Sequence, residues 1–194
     1  MTISFVRHGV TDFNKQKRPA GRRFDESLNE EGRNQAVVLT EQIRGEFDVI
    51  IASPLKRALE TVEPLSRKLN LPIQINEHLT ERSHGHLDGK TWDEIALLTE
   101  GRMNLAILQS ALEHDFSRWG GDNIEDVRMR TKDAVNDIVQ KFSGKRVLVM
   151  THGGVIKVLY ALSGDMQPRK IANISVHEFD WEALEKIQNV ECKM

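Results

Sequence analysis

The sequence contains a single cysteine and no long run of apolar residues. Cys192 excludes an intrachain disulfide framework and gives a reducing compartment, the cytoplasm, as the expected location. No stretch approaches the ~18 consecutive apolar residues of a transmembrane helix. The first residues enter a strand pattern at once and lack the basic and apolar regions of a signal peptide. We therefore expect no membrane association.

An excess of one charge sign is also missing, as are low-complexity linkers. The chain has 27 Lys and Arg against 29 Asp and Glu, and its formal net charge of -2 argues against a protein built around nucleic-acid phosphates. Its 194 residues are 39% hydrophobic and 29% charged, which is typical of one soluble globular domain with a sizeable core. We expect a single domain over 1–194, and the sequence does not indicate an oligomeric state.

Two segments at opposite ends of the chain share one pattern. In 2–14 (TISFVRHGVTDFN), strand-favouring residues stop at Arg7 and His8, and a glycine follows. In 146–160, an apolar run stops at His152, and two glycines lead into a helical pattern. Ligands of open parallel sheets bind outside the carboxyl ends of the strands. His8 and His152 are therefore candidates for one shared site.

The rest of the chain alternates strand and helix patterns, which predicts an α/β fold with a mostly parallel sheet. Further strands are predicted within 48–52, 72–75 and 174–181. Helices are predicted from Asn29 as N-cap to Ile43, from Leu55 to Leu69 with Ser53 as N-cap and Pro54 at the first position, and from Asp122 or Asn123 to Phe142. Shorter apolar helical faces are predicted in 92–98 and 105–116, and the tail 181–194 is weakly amphipathic.

Several residues have two interpretations on spacing alone. Arg57, at the start of a helix after a strand, suits either phosphate oxygens or the surface. Glu81 suits either a general acid or a solvated side chain. His84, His86 and Asp88 form only a weak metal-ligand pattern, since no partner ligand has a defined spacing. The basic residues of 15–23 indicate either a solvated charge run or a rim that attracts anionic substrates; they are Lys15, Lys17, Arg18, Arg22 and Arg23.

The segment 7–14 resembles the RHGxTxxN signature of the histidine phosphatase superfamily, which includes phosphoglycerate mutases and many small-molecule phosphatases. Its matching residues are Arg7, His8, Gly9, Thr11 and Asn14. Four further segments fall where that family would place them, namely 21–36, 53–61, 79–89 and 149–154. The resemblance implies a phosphoglycerate mutase-like α/β fold, a three-layer α/β/α sandwich with a mostly parallel central sheet. It also implies that 77–121 is a helical and loop cap insertion.

The resemblance further implies a metal-independent phosphomonoesterase that hydrolyses a small phosphorylated metabolite through a phosphohistidine. His8 would be the nucleophile and Glu81 the proton donor. The phosphate would be held by Arg7, Arg57 and His152, with help from Asn14, Gly21 and the Gly153 backbone. No cofactor is implied, because the arginines supply the charge that stabilises a phosphoryl group in transfer. We expect the arginines to lower the pKa of His8, and its second ring nitrogen to donate to a backbone carbonyl.

Some features depart from the family pattern. The basic loop is one residue longer between Gly21 and Asp25, Asp122-Asn123 stands where Glu-Ser is common, and His84 replaces an aromatic residue before Gly85. The segment 89–121 lacks the extra length and the paired arginines of a glycolytic mutase, which favours hydrolysis. The alternatives are a 2,3-bisphosphoglycerate-dependent phosphoglycerate mutase and a non-catalytic phospho-ligand binder.

Overall fold

Five strands form one sheet in the computed structural model, which describes residues 2–43, 46–104 and 114–180. They are β1 (Thr2–Arg7), β2 (Val49–Ala52), β3 (Ile73–Ile75), β4 (Val147–Thr151) and β5 (Val176–Asp180). Their order across the sheet is β3-β2-β4-β1-β5. Neighbouring strands are parallel except β5, which pairs antiparallel with β1. The predicted mostly parallel sheet is confirmed.

Helices cover both faces of this sheet. They are α1 (Asp12–Lys15), α2 (Glu30–Gln42), α3 (Lys56–Leu69), α4 (Trp92–Leu98), α5 (Ile124–Lys141) and α6 (Gly153–Leu162), and short 3₁₀ helices span Glu77–Leu79, Gly85–Leu87 and Ser117–Trp119. Helices α2 and α3 pack on one face with side chains such as Val6, whereas α5 and α6 pack on the other with Ile3 and Phe5. The three-layer α/β/α arrangement is therefore confirmed.

The apolar composition of the central strands follows from this double cover. All five residues of β4 are buried, as are all four of β2, so both alternating sets of side chains meet a helical layer. The predicted stripe of α5 is also buried, with Val127, Ala134 and Ile138 at most 1% exposed. The two strands were recognisable in the sequence because their apolar residues are consecutive, and the helix because its apolar residues recur at helical spacing.

Two of the three N-cap predictions are confirmed and one is wrong. The side chain of Asn29 accepts a hydrogen bond from Gly32 N at 2.9 Å, and that of Asn123 accepts one from Asp126 N at 2.8 Å. Helix α3, however, begins at Lys56, and Ser53 does not cap it. The Lys56 N–H instead donates to Asp25 Oδ1 at 2.7 Å, since the hydroxyl of Ser53 contacts His152.

Smaller differences concern single residues. Leu98 is 55% exposed rather than packed, because the short helix α4 turns Ile95 towards the small cluster around Leu87 and Phe116. Ile174 precedes β5 and has a left-handed backbone with φ of 63°. The predicted face over 105–112 and the tail 181–194 lie outside the described residues. Within the described ranges, no helix is long and apolar enough to cross a membrane.

Candidate active site

The two predicted histidines lie side by side at the carboxyl edge of the sheet. Strands β1 and β4 are adjacent and parallel, and Arg7 is in register with Thr151. Each strand therefore delivers its next residue, a histidine, to the same place. The ring centroids of His8 and His152 are 5.2 Å apart with planes inclined by 59°. The predicted shared location is confirmed.

His8 is a buried, neutral imidazole with a defined tautomer. Its Nδ1 lies 2.7 Å from the Gly9 carbonyl oxygen, so Nδ1 carries the proton and the lone pair is on Nε2. Burial, followed by the charges of Arg57 and Arg7, lowers the pKa of His8 well below its ordinary value. Both the expected carbonyl contact and the expected direction of the pKa shift are confirmed, and Nε2 can act as a nucleophile at neutral pH.

His152 is fully buried, and one of its two ring nitrogens has a hydrogen-bond partner among the described residues. Its Nε2 lies 2.8 Å from the hydroxyl of Ser53, and its Nδ1 has no hydrogen-bond partner among the described residues. Burial, then the charges of Arg57 and His8, lowers its pKa well below the ordinary value. When the serine hydroxyl donates to Nε2, the imidazole proton lies on Nδ1. A neutral N–H donor is thus available beside His8.

Two guanidinium groups flank the histidines and are fixed by carbonyl oxygens. Arg57 is only 2% exposed and donates to Gly21 O at 2.8 Å and to Phe24 O at 3.1 Å. Arg7 donates through Nη1 to Ile171 O at 2.6 Å, and its buried Nε has no hydrogen-bond partner in the described part of the chain. Burial lowers the pKa of both, but arginine remains charged at any pH in question.

Glu81 lies at the start of α6 rather than in solvent. Its carboxylate accepts hydrogen bonds from Arg82 N at 2.9 Å and from Gly154 N at 3.1 Å. Burial is the largest influence and raises the pKa of Glu81, but the charge of Arg82 and the two backbone N–H groups together outweigh it and lower the pKa. The side chain is therefore an anion in the resting protein.

Asn14 presents its amide to the same cavity. Its Oδ1 accepts from Thr11 N at 3.2 Å and from Asn173 Nδ2 at 3.1 Å. An amide whose oxygen is held by two donors has its NH₂ group left for a ligand. Asn14 therefore contributes a hydrogen-bond donor to the cavity.

The two glycines expected at the site contribute backbone. Gly21 has φ of 57°, and a Cβ there would lie 2.3 Å from an oxygen of Asp88, so only glycine fits where its carbonyl holds Arg57. Gly153 begins α6 and lines the cavity. The positive end of that helix consequently faces the site.

These residues surround one cavity of about 480 Å³. Every predicted site residue lines it except His152, whose ring lies next to that of His8. Among the described residues, eight lysines and arginines line the cavity but only one carboxylate, that of Glu81. A wider cleft of about 980 Å³ lies along the start of α2 and contains none of the predicted site residues. The predicted site residues are therefore grouped at the smaller, strongly cationic cavity.

The basic loop is divided between the cavity and contacts within the protein, and the second part was not predicted. Lys17 and Arg18 line the cavity and form part of its rim. Arg22 instead pairs with the buried Asp122 at 2.6 Å, and Arg23 donates to a loop carbonyl at 2.8 Å. One half of the loop thus faces the cavity, and the other half holds the loop in place.

The predicted metal-ligand pattern is divided between two environments. His84 is buried, with Nδ1 2.7 Å from Asp88 Oδ1 and its ring against Phe116. His86 is exposed. Among the residues that the structure describes, no three His, Cys, Asp or Glu side chains are grouped as metal ligands would be.

Several residues that line the cavity were not predicted from the sequence, and three of them bear on its chemistry. Arg82 is buried next to Glu81, and its Nη1 has no hydrogen-bond partner in the described ranges. Lys157 follows Gly153 by one helical turn, and side chains of a helix lean towards its N-terminus, which was an available signal. Asn173 lies in the loop before β5 and gave no local signal.

Comparisons with known proteins agree with this site. The family model for the histidine phosphatase superfamily (branch 1) matches residues 3–189. A metal-independent phosphoserine phosphatase of Arabidopsis thaliana is 33% identical over 179 residues, which are 90% of this chain and 74% of that protein. The phosphoglycerate mutase-like protein 4 of the same plant is 32% identical over 182 residues, 91% of this chain and 78% of that protein. The structure of a mycobacterial glucosyl-3-phosphoglycerate phosphatase with VO3 aligns with a TM-score of 0.76 at 26% identity, over 92% of each chain. The chain belongs to the histidine phosphatase superfamily.

Proposed function

We propose that the protein is a metal-independent phosphomonoesterase that hydrolyses a small phosphorylated metabolite through a phosphohistidine at His8. The observation that carries this proposal is a neutral His8, with its lone pair on Nε2, beside the buried guanidinium of Arg57 and the partly buried guanidinium of Arg7. The phosphatases among the relatives support the same reaction class. The guanidinium groups supply the positive charge that metal ions supply in other phosphoryl-transfer enzymes.

In the first step, Nε2 of His8 attacks phosphorus, the P–N bond forms and the ester P–O bond breaks. Negative charge spreads over the equatorial oxygens, where Arg7, Arg57 and the Nδ1–H of His152 donate to it. These donors are held before the reaction by Ile171 O, Gly21 O and Ser53, so little reorganisation is needed. Glu81 takes up the proton that a phosphate monoanion brings and passes it to the leaving oxygen.

In the second step, the Glu81 carboxylate takes a proton from water. The water oxygen attacks phosphorus, the P–N bond breaks, and inorganic phosphate leaves with His8 neutral again. The bonds from Arg82 N and Gly154 N stabilise the carboxylate form that this step requires. The same residue therefore acts as acid and then as base.

A trapping experiment tests this function directly. Wild type and His8→Ala are mixed with ³²P-labelled phosphomonoesters and quenched in alkali, where phosphohistidine survives. We expect a label on His8 and phosphate release in the wild type, unchanged by EDTA, and neither in His8→Ala. Phosphate release without a His8 label, or release that EDTA abolishes, would contradict the proposal. Candidate substrates are phosphorylated sugars, glycerates, nucleotides and phosphopeptides.

The charge of the cavity supports a substrate whose leaving group is itself anionic. The phosphate of the substrate meets Arg7 and Arg57, which leaves Arg82 and Lys157 beside Glu81. The Arg82 Nη1 is buried and has no hydrogen-bond partner in the part of the chain that is described. A buried unsatisfied donor costs about 1–3 kcal/mol, which an anionic ligand group would recover. We propose a carboxylate on the leaving group.

A mutase is the second candidate, supported by the name of the phosphoglycerate mutase-like relative. The two activities are separated by supplying 3-phosphoglycerate with and without 2,3-bisphosphoglycerate. We expect phosphate release that does not depend on the bisphosphate. Isomerisation that requires the bisphosphate and outruns phosphate release would establish the mutase instead.

We also propose that 77–121 is a cap insertion within a single domain over 1–194. Its described part contributes Glu81, Arg82, His84, Trp92 and His114 to the cavity wall. It has a small apolar cluster of its own around Ile95. We assign the enzyme to the cytoplasm because the chain has one cysteine.

A further inference from the structure

The loop 171–174, between α6 and β5, contacts the start of the active-site segment at several points. Ile171 O accepts from Arg7 Nη1 at 2.6 Å, and Ile174 N donates to Arg7 O at 3.0 Å. Between them, Asn173 Nδ2 lies 2.9 Å from His8 O and 3.1 Å from Asn14 Oδ1. One side-chain amide therefore contacts the backbone of the proposed nucleophile and the side chain of a proposed phosphate ligand.

The peptide group that joins His8 to Gly9 is held at both of its ends. Asn173 donates to its carbonyl oxygen, and its N–H donates to Thr61 Oγ1 at 3.0 Å. The hydroxyl of Thr61 donates in turn to Arg57 O at 2.5 Å. Rotation of this peptide would move the Gly9 carbonyl that fixes the His8 tautomer. The direction of Nε2 thus depends on Asn173 and Thr61 together.

Asn173 also decides which way the Asn14 amide points. Because Asn173 and the Thr11 N–H both donate to Asn14 Oδ1, the NH₂ group of Asn14 is the part presented to the cavity. Without Asn173, the amide can turn over and present its oxygen to phosphate, which repels it.

The backbone next to Asn173 is strained. Ile174 has φ of 63°, a conformation that a β-branched residue rarely adopts. Such strain persists only where surrounding contacts hold it, and it collects at functional sites. Here the contacts that hold it are the ones to Arg7, since Ile174 N donates to Arg7 O.

We infer that Asn173 is a positioning residue that orients the His8 nucleophile and the Asn14 amide, an inference that rests on the proposed phosphohistidine chemistry. Asn173→Leu keeps the size of the side chain and removes its donor. We expect His8 labelling in a single-turnover quench to slow by about 10- to 100-fold, since small misplacement at a reacting centre costs this much. Asn76→Leu is the matched control, because the side chain of Asn76 accepts a local hydrogen bond from His78 N and does not line the cavity.

The double variant Asn14→Ala/Asn173→Leu separates positioning from a general loss of structure. If Asn173 acts partly through Asn14, the labelling rate of the double variant falls by less than the product of the two single-variant factors. The thermal midpoint of Asn173→Leu stays near that of Asn76→Leu. Wild-type labelling in folded Asn173→Leu, or losses that multiply, would overturn the inference. If Asn173→Leu does not fold, Asn173→Ser is measured in its place. Absence of a label in the wild type would instead refute the proposed function.

Discussion

Glu81 accepts a 3.1 Å hydrogen bond from the backbone N–H of Gly154, the second residue of α6. The carboxylate is thereby held at the positive end of a helix. Burial alone would raise its pKa, but the charge of Arg82 and the N–H groups of Arg82 and Gly154 lower it. An acid with a lowered pKa carries no proton at neutral pH. The proton for the leaving group must therefore arrive with the substrate.

The first prediction concerns the pH dependence of alkyl phosphates, which are poor leaving groups. A phosphomonoester has a second pKa near 6, so its monoanion, which carries the proton, becomes more abundant as pH falls. We expect kcat/KM to rise between pH 8 and pH 6. We expect the kcat/KM of Glu81→Gln to fall by about 10²- to 10⁴-fold with alkyl phosphates and by much less with p-nitrophenyl phosphate. Equal losses for both substrates in steady-state assays would remove Glu81 as the acid.

The second prediction tests the contact between Glu81 and the helix. A Cβ at Gly154 would lie 2.2 Å from Glu81 Oε1 and 2.9 Å from Arg82 Nε, whereas a Cβ at Gly153 meets Arg7 Nε at 3.4 Å. Gly154→Ala should therefore resemble Glu81→Gln, with a loss of about 100-fold on alkyl phosphates. Gly153→Ala should lose far less of its activity on the same alkyl phosphates. Equal kinetics for the two alanine variants would contradict this geometry.

The third prediction concerns Arg57, which is 2% exposed. Its truncation to alanine removes a preorganised donor to the phosphoryl group, and such a loss costs about 3–4 kcal/mol in the barrier, or roughly 10²–10³ in kcat. Arg67 is the matched control on the same helix, because its side chain is 75% exposed and pairs with Glu63 on the surface. Steady-state kinetics of Arg57→Ala and Arg67→Ala test whether kcat falls in the first variant alone. Unchanged kcat in a folded Arg57→Ala would exclude it from the phosphate site.

The fourth prediction concerns Lys157. Burial, then the charge of Arg82, lowers the pKa of Lys157 to about 8. In Lys157→Met we expect KM to rise about 10-fold for carboxylate-bearing substrates, which is the value of one charge-assisted hydrogen bond of about 1.5 kcal/mol. The KM for p-nitrophenyl phosphate should not change. The exposed Lys145→Met is the control.

The same lysine predicts a pH effect in the wild type. Above pH 8 the ammonium of Lys157 loses its proton, so the KM for carboxylate-bearing substrates should rise there, and it should not do so in Lys157→Met. Parallel pH profiles for the two proteins would show that Lys157 does not bind the leaving group.

The fifth prediction concerns stability. Both His8 and His152 have a pKa well below the ordinary value in the folded protein, whereas the unfolded chain binds protons at about pH 6.5. The unfolded state then holds more protons below that pH, so the free energy of unfolding falls as pH falls. The slope is up to about 1.4 kcal/mol per pH unit for each histidine.

Urea unfolding between pH 7.5 and pH 5.5 measures this slope. His152→Gln should have a shallower slope than the wild type, and His86→Gln, which changes an exposed histidine, should not. A slope that is unaltered in His152→Gln would mean that the burial of this imidazole does not govern acid stability.

The sequence indicated the elements whose signals are local. Strands buried on both faces appear as unbroken apolar runs, and the His8 and His152 segments could be placed together because parallel strands end at one edge. Contacts between distant residues gave no such signal. Ser53 was expected to cap a helix but bonds His152, 99 residues away, and Arg22 pairs with Asp122, 100 residues away. Glu81 likewise accepts a hydrogen bond from the backbone N–H of Gly154, 73 residues away.

The register of β1 against β4 also determines the catalytic geometry. His8 and His152 each follow one member of the in-register pair Arg7 and Thr151. A slip of one residue between the two strands would shift one imidazole by about 3.3 Å along the sheet and turn its strand's side chains to the opposite face. Insertions that are harmless in the surface loops would thus inactivate the enzyme if they fell within this ladder, even where the chain still folded.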